Sequence, residues 1–116
     1  MTYGKPPTTA PLKPAVLHIL LALSPGQMHG LGIADAIEKE TGGEIRLGPG
    51  TLYRSLKEMT AAQLVAHVNS AESGEDPRRK YYRLTDLGLE VLQVEAARLA
   101  RIVEVAKRRH VLSSNV

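Results

Sequence analysis

The chain contains no cysteine, phenylalanine or tryptophan, and its aromatic residues are four tyrosines. Without cysteine it has no disulfide scaffold, no thiolate zinc site and no cysteine nucleophile. Its most apolar stretch, Ala15 to Leu23, is much shorter than the roughly 20 residues that cross a bilayer. The start, rich in Thr, Pro and Lys, lacks the apolar core of a signal sequence. We therefore expect a cytoplasmic protein with no membrane partner.

The charge is distributed unevenly along the 116 residues, which are enough for one domain with at most an appended helix. Fifteen Lys and Arg against 12 Asp and Glu give a net charge of +3 and a pI near 9.4. Residues 15–44 carry one lysine and four acidic residues, a net charge of −3, whereas residues 45–84 carry seven basic and four acidic residues, a net charge of +3. This asymmetry is typical of a protein that binds a polyanion. A solvated surface whose charges are uneven by chance would explain the same distribution.

Prolines and glycines divide the first half of the chain into an arm and three helices. Residues 1–13, with three prolines among Thr, Gly and Lys, predict a flexible N-terminal arm. Pro14 suits the first position of a helix that ends near Leu23. Because nearly every residue of this helix is apolar, it needs cover on all sides, from the core and from a second chain. A second helix ends at Gly42-Gly43, and a third begins at Pro49.

The second and third helices each combine an apolar stripe with a polar face. The inward residues of the second helix are Leu31, Ala34, Ile37 and Thr41. The inward residues of the third helix are Leu52, Leu56 and Met59. Its outward residues are Thr51, Arg54, Ser55 and Glu58, with Tyr53 and Lys57 on the flank. Three helices in quick succession, the third polar and cationic outside, indicate a helix-turn-helix unit.

The pattern then changes to the two-residue period of β-strands. Residues 64–69 and 79–84 alternate between their two faces, and a polar stretch with Gly74 and Pro77 separates them. Together they predict a hairpin whose returning strand is cationic. A hairpin placed directly after a recognition helix is called a wing.

A last helix follows the hairpin and ends near Arg109. Thr85 offers a hydroxyl for its N-cap. Leu92, Leu99 and Ala106 repeat every seven residues, which is typical of a helix–helix seam. Since the small domain has nothing to cover the full length of this helix, we expect it to pair with the same helix of a second copy.

The predicted fold is therefore mainly α with a small β-hairpin. It consists of a winged helix-turn-helix domain at residues 14–84 and a C-terminal dimerisation helix at residues 85–112, followed by a tail at residues 113–116. The four histidines are scattered without the spacing of metal ligands, and no Ser/His/Asp order points to a nucleophile. We expect no metal, no cofactor and no enzymatic activity.

Three motifs occur in order along the chain. They are His29-Gly30, then Gly48-Pro49-Gly50-Thr51-Leu52-Tyr53-Arg54-Ser55-Leu56, and then Arg79-Lys80-Tyr81-Tyr82-Arg83-Leu84-Thr85 with Gly88. Over about residues 15–92 they resemble the PadR family of bacterial winged-helix transcriptional regulators, and the single C-terminal helix is similar to its compact subgroup. The resemblance implies a dimeric DNA-binding repressor of nearby genes, often relieved by a small aromatic or drug-like ligand.

The chain departs from that family at three points. Leu31 stands where the family usually has Tyr, and Gln63 where a Gly commonly follows the recognition helix. If position 63 is left-handed, Gln costs about 1 kcal/mol relative to Gly. Some compact relatives stack ligands on a Trp of the last helix, which this chain lacks, so drug binding by aromatic stacking is not expected.

We expect a DNA interface on the third helix and the wing. The wing and Lys57 would contact phosphates, and Arg54 would read a base, since guanidinium pairs bidentately with guanine. Arg54 could instead contact a phosphate or solvent alone, and Tyr53 could bind a phosphate or pack under the wing. The candidate DNA-binding residues are Pro49, Gly50, Thr51, Tyr53, Arg54, Ser55, Lys57, Arg78, Arg79 and Lys80.

The expected partners are a pseudo-palindromic operator in double-stranded DNA, a second copy of the chain and a small-molecule effector at the dimer centre. The candidate residues for the dimer interface and the effector site are Val16, Leu20, Leu92, Ala96, Leu99, Ile102 and Val103. Plain dimer packing explains the same residues without an effector. The alternative function is a winged-helix protein–protein interaction module whose basic face meets an acidic protein, without specific DNA binding.

Overall fold

The computed structural model describes residue 8 and residues 10–68 and 79–115. Within these residues the chain forms four helices and a three-stranded antiparallel sheet, which confirms the predicted fold class. In chain order the elements are α1 (Pro14–Leu23), β1 (Met28–His29), α2 (Gly30–Glu40), α3 (Pro49–Ala61), β2 (Val65–Val68), β3 (Tyr81–Leu84) and α4 (Asp86–Arg108). None of the helices in this described part is long and apolar enough to span a bilayer.

The other elements pack around α1. Pro14 occupies the first position of this helix, as predicted, and α2, α3, α4 and β3 all contact it. Ile19, Leu20 and Leu23 are at most 1% exposed. The chain itself therefore covers most of this apolar helix, while Leu21 is open at 39% exposure.

The sheet has the strand order β1-β3-β2, so β3 lies in the middle. β2 and β3 form the predicted hairpin, and its turn, within residues 69–78, lies outside the described residues. β1 was not predicted, because two residues are too few to show an alternation. The alternation predicted for β3 is wrong at Tyr81 and Tyr82, which are both buried. Tyr82 joins the core, and Tyr81 packs against the ring of His29.

The segment before α1 is anchored to α4. Leu12 is 7% exposed, and its N–H donates to Oε2 of Glu95 at 2.9 Å. Glu95 is itself buried and accepts from Nε of Arg98 at 2.6 Å, a hydrogen bond that raises the pKa of Arg98. The prediction of a flexible arm through residue 13 is therefore wrong at Leu12. Residues 1–7 and 9 of that arm lie outside the described residues.

Thr85 joins α4 to the base of the hairpin. Its Oγ1 accepts from the N–H of Gly88 at 2.9 Å, which confirms the predicted N-cap, and donates to the carbonyl of Gln63 at 2.6 Å. Gly88 lies so close to the hairpin that a Cβ there would overlap the carbonyl oxygen of Leu64. Gln63 has φ 64°, so the strained left-handed backbone is present at this position.

Gln63→Gly is expected to raise the melting temperature. Removing a strain of about 1 kcal/mol corresponds to at most roughly 4 °C for a domain of this size, because the entropy of glycine in the unfolded state offsets part of the gain. Gln27→Gly is the matched control, because Gln27 is exposed and has no left-handed backbone. There glycine adds only unfolded-state entropy, so the control should melt lower. Thermal unfolding followed by circular dichroism measures both, and a lower midpoint for Gln63→Gly would contradict the account.

Gly88→Ala is expected to lower the free energy of unfolding by about 1–3 kcal/mol, the usual cost of forcing an extra carbon into a packed site. The backbone of Leu64 would have to move, and with it the hydrogen bonds of Thr85. Gly26→Ala is the control, since a Cβ at Gly26 meets nothing within 4 Å. Urea unfolding should give a lower free energy of unfolding for Gly88→Ala than for Gly26→Ala. Equal stabilities would refute the close contact between Gly88 and Leu64.

Candidate nucleic-acid interface

The exposed face of α3 carries most of the predicted DNA-binding residues. Those that the structure places on the surface are Pro49, Gly50, Thr51, Tyr53, Arg54 and Lys57. No side chain of the described residues caps the start of this helix, and Pro49 has no N–H. The first amides of a helix have no partner inside it, so those of Gly50 and Thr51 are available to an anion.

Ser55 does not belong to this face. It is 8% exposed and lies on the inner side of α3 with Leu52, Leu56 and Met59. Positions 52, 55, 56 and 59 share one side of a helix with 3.6 residues per turn, so position 55 turns inward with the core residues. The prediction of Ser55 as a DNA contact is therefore wrong.

The wing places two of its three predicted cations beside α3. Arg79 and Lys80 are exposed and lie just before β3. Arg78 lies outside the described residues. Nη1 of Arg79 lies 2.9 Å from Nε2 of His29, in the short strand β1. The sequence singled out His29 as part of a motif but predicted no role for it.

A cleft of about 340 Å³ lies where the start of α2, the exposed face of α3 and the wing meet. Its lining residues are His29, Gly30, Leu31, Tyr53, Arg79 and Lys80. Tyr53 lies across Gly30, where a Cβ would come within 2.5 Å of the tyrosine hydroxyl. The structure thus brings three of the predicted residues together in one concave site.

Leu31 faces the cleft side of α2 and not the core. It is 63% exposed, whereas Ile33 and Ile37 are fully buried. The inward orientation predicted for Leu31 is therefore wrong. The apolar stripe of α2 begins at Ile33, which was not predicted to belong to it. The sequence did not distinguish the two residues, because Leu31 fits the helical period equally well.

A second groove of about 430 Å³ runs along the other side of Tyr53, between α3 and the hairpin. Its lining residues are Tyr53, Leu56, Lys57, Thr60, Ala61, His67, Lys80 and Tyr82. The rings of His67 and Tyr82 are 4.8 Å apart, and burial raises the pKa of Tyr82. Tyr53 therefore forms the ridge between two grooves that both contain Lys80.

The cations of this surface have no carboxylate partners within the described part of the chain. The ion pairs there join Lys39 to Asp35, Arg46 to Glu38 and Arg98 to Glu95. None of these pairs involves the four cations of the surface, which are Arg54, Lys57, Arg79 and Lys80. Unneutralised Lys and Arg on one face are what binding to a phosphate backbone requires.

Three of the predicted interface residues are core residues of the chain. Val16, Leu20 and Leu92 are 3%, 0% and 6% exposed. Their assignment to a dimer interface or effector site is wrong, because α1 packs between α2, α3 and α4 of its own chain.

The other predicted interface residues lie farther along α4. Ile102 and Val103 are 52% and 39% exposed, Ala96 is exposed, and Leu99 is half-buried. Val94 and Val105, which were not predicted, are also open. The C-terminal half of α4 therefore presents apolar side chains that the described chain does not cover.

A helix-turn-helix followed directly by a hairpin with exposed Arg and Lys defines the class of winged-helix proteins. The model of the transcriptional regulator PadR-like family matches residues 16–94, more than half of the chain. The chain belongs to this family, which confirms the resemblance of its motifs.

Solved structures share this fold. A PadR family transcription regulator from hypervirulent Clostridium difficile has 28% identity and a TM-score of 0.64, covering 81% of this chain and 95% of that one. A transcriptional regulator from Clostridium thermocellum has 21% identity and a TM-score of 0.65, covering 80% and 89%, and shows the fold alone. The uncharacterized 37.1 kDa protein in transposon TN4556 of Streptomyces fradiae is 40% identical over 88 residues. The matched segment covers 76% of this chain but only 24% of the length of that relative.

Proposed function

We propose that the chain is a homodimeric repressor that binds double-stranded DNA near the genes it regulates, with α3 of each copy in the major groove. The supporting observation is the convergence of four exposed cations without carboxylate partners in the described chain. Arg54 and Lys57 lie on α3, and Arg79 and Lys80 lie on the adjoining wing. A repressor of this kind needs both phosphate neutralisation and base contacts, and this face offers groups for each.

The two kinds of contact come from different parts of the face. Arg54 lies in the middle of α3 on its exposed side, where a guanidinium inserted in the major groove can pair with guanine. Arg79 and Lys80 flank that helix and would contact phosphates, with the amides at the start of α3. Affinity then comes mainly from the wing and sequence preference mainly from Arg54.

Dimerisation is supported by the open apolar side chains of α4. Val94, Ile102, Val103 and Val105 are 39–62% exposed. A second copy of the same helix would cover Ile102 and Val103, which flank the stripe of Leu99 and Ala106. It would also fix the separation of the two recognition helices, which must match half-sites about 34–36 Å apart. Among the predicted interface and effector residues, Val16, Leu20 and Leu92 are buried in the core, so an effector at the dimer centre would have to use the remaining ones.

The proposal predicts a salt-dependent affinity for DNA that the wing cations control. The double variant Arg79→Ala/Lys80→Ala should reduce the slope of log affinity against log salt by about 2 per subunit, roughly 0.9 for each lost phosphate contact. Fluorescence anisotropy with a fragment from the promoter region upstream of the chain's own gene measures it.

The control for that experiment is Lys39→Ala/Lys107→Ala, which removes the same charge from α2 and α4, away from the cleft. It should leave the slope near the wild-type value. Equal slopes for the two double variants would refute the wing assignment. A wild-type chain that shifts no promoter fragment in a gel would favour the protein–protein module.

The dimer should depend on the open end of α4. Sedimentation of the wild type should give twice the 12.6 kDa of one chain. Ile102→Glu places a charge in the proposed interface and should shift the protein to monomer at micromolar concentration. Gln93→Glu, which adds the same charge at another exposed position of α4, should stay dimeric. A wild-type monomer, or a dimer insensitive to Ile102→Glu, would overturn the interface.

A further inference from the structure

His29 connects three parts of the structure. It is the last residue of β1, the N-cap of α2 and one wall of the cleft. Its Nδ1 accepts from the N–H of Gly32 at 3.1 Å, and its Nε2 lies 2.9 Å from Nη1 of Arg79. One imidazole ring therefore contacts both a helix cap and a wing cation.

The sheet explains why Arg79 reaches this ring. His29 pairs with Tyr81 across β1 and β3, and its ring meets that of Tyr81 edge to face, with centroids 5.5 Å apart. Arg79 lies two residues before Tyr81, just outside β3, and its guanidinium reaches the ring of His29 from there. The buried Tyr81 and the helix cap hold the ring, and the ring in turn holds the guanidinium at the cleft.

The two contacts compete for one lone pair. A neutral imidazole has one N–H and one acceptor nitrogen, whereas guanidinium and a backbone amide are donors only. When Nδ1 accepts from Gly32, Nε2 carries the proton and faces a second donor. When Nε2 accepts from Arg79, the proton is on Nδ1 and the helix cap is lost. In the free protein one of the two contacts is always incompletely satisfied.

An anionic oxygen in the cleft would give a hydrogen-bond partner to each of the three groups, which are the guanidinium of Arg79, the ring of His29 and the amide of Gly32. Phosphate oxygens accept charge-assisted hydrogen bonds from a guanidinium, and Arg79 would then release the ring. The ring proton would then be on Nε2 and donate to the same phosphate, while Nδ1 would accept from Gly32 and keep the cap of α2. Among the described residues that line the cleft there is no carboxylate, and Lys80 and Tyr53 face the same space.

We propose that His29 completes a site for one DNA backbone phosphate: it holds Arg79 over the cleft in the free protein and binds that phosphate through Nε2 once the guanidinium has moved to it. The proposal rests on DNA binding as proposed above. The proposal gives the His29-Gly30 motif a role in binding phosphate. A DNA interface made of α3 and the wing alone gives that motif no role.

The test is a double-mutant cycle on DNA affinity with the full chain. His29→Asn keeps an oxygen acceptor for the Gly32 amide, since Asn is among the best N-cap residues, but it is too short to reach Arg79 or the phosphate. We expect losses of about three- to tenfold for His29→Asn and about tenfold for Arg79→Ala, a charged phosphate contact. The double variant should lose at least threefold less than the product of the two single losses.

Ring NMR of the wild type gives a measurement that is independent of DNA affinity. With ¹⁵N-labelled histidine, His29 is assigned as the signal that is missing in His29→Asn. Adding the DNA fragment should move its nitrogen shifts to those of the Nε2–H tautomer. Thermal unfolding checks that His29→Asn keeps its fold.

The outcomes separate the two proposals. Strictly multiplicative losses, an affinity unchanged by His29→Asn, or ring shifts that DNA does not alter would each overturn the role of His29. If Arg79→Ala still weakens binding in those cases, the DNA-binding function stands. A wild-type chain that does not bind DNA at all would reject both.

Discussion

The structure depends on the burial of most of α1 by its own chain. Ile19, Leu20 and Leu23 have almost no contact with solvent, and complete burial of each such side chain contributes about 1.5–3 kcal/mol. Since α2, α3, α4 and β3 all pack against this one helix, none of them can shift without opening the core. The recognition helix and the wing are therefore held in a fixed relation, which a protein that spans a groove and its flanking phosphates requires.

The central strand extends this constraint to the polar surface. β3 pairs with β1 on one side and β2 on the other, so the start of α2 and the hairpin share one sheet. Tyr82 joins the core while Tyr81 supports the ring of His29, and Arg79 reaches that ring from just before the same strand. The position of His29 in the cleft is thus fixed by the register of β1 on β3.

Local signals in the sequence predicted the elements well. Pro14 and Pro49 begin helices, and Thr85 caps one, because these effects act within a single turn. The contacts of His29 with Arg79 and of Leu12 with Glu95 join residues 50 and 83 positions apart, and nothing local indicates them. The exposed side of α3 was predicted correctly except at Ser55, since the helical period decides that orientation.

The error at the predicted dimer interface has a different cause. A seven-residue repeat shows that a stripe of α4 is covered, but it does not show by which chain. Leu92 is covered by the core of its own chain, whereas the same stripe continues through Leu99 to Ala106, beyond most of that core. The same stripe of α4 therefore packs in the core at its N-terminal end and lies on an open surface at its C-terminal end. The boundary between these two parts of the stripe depends on how far the folded domain extends along α4. The periodicity of the sequence carries no information about that distance.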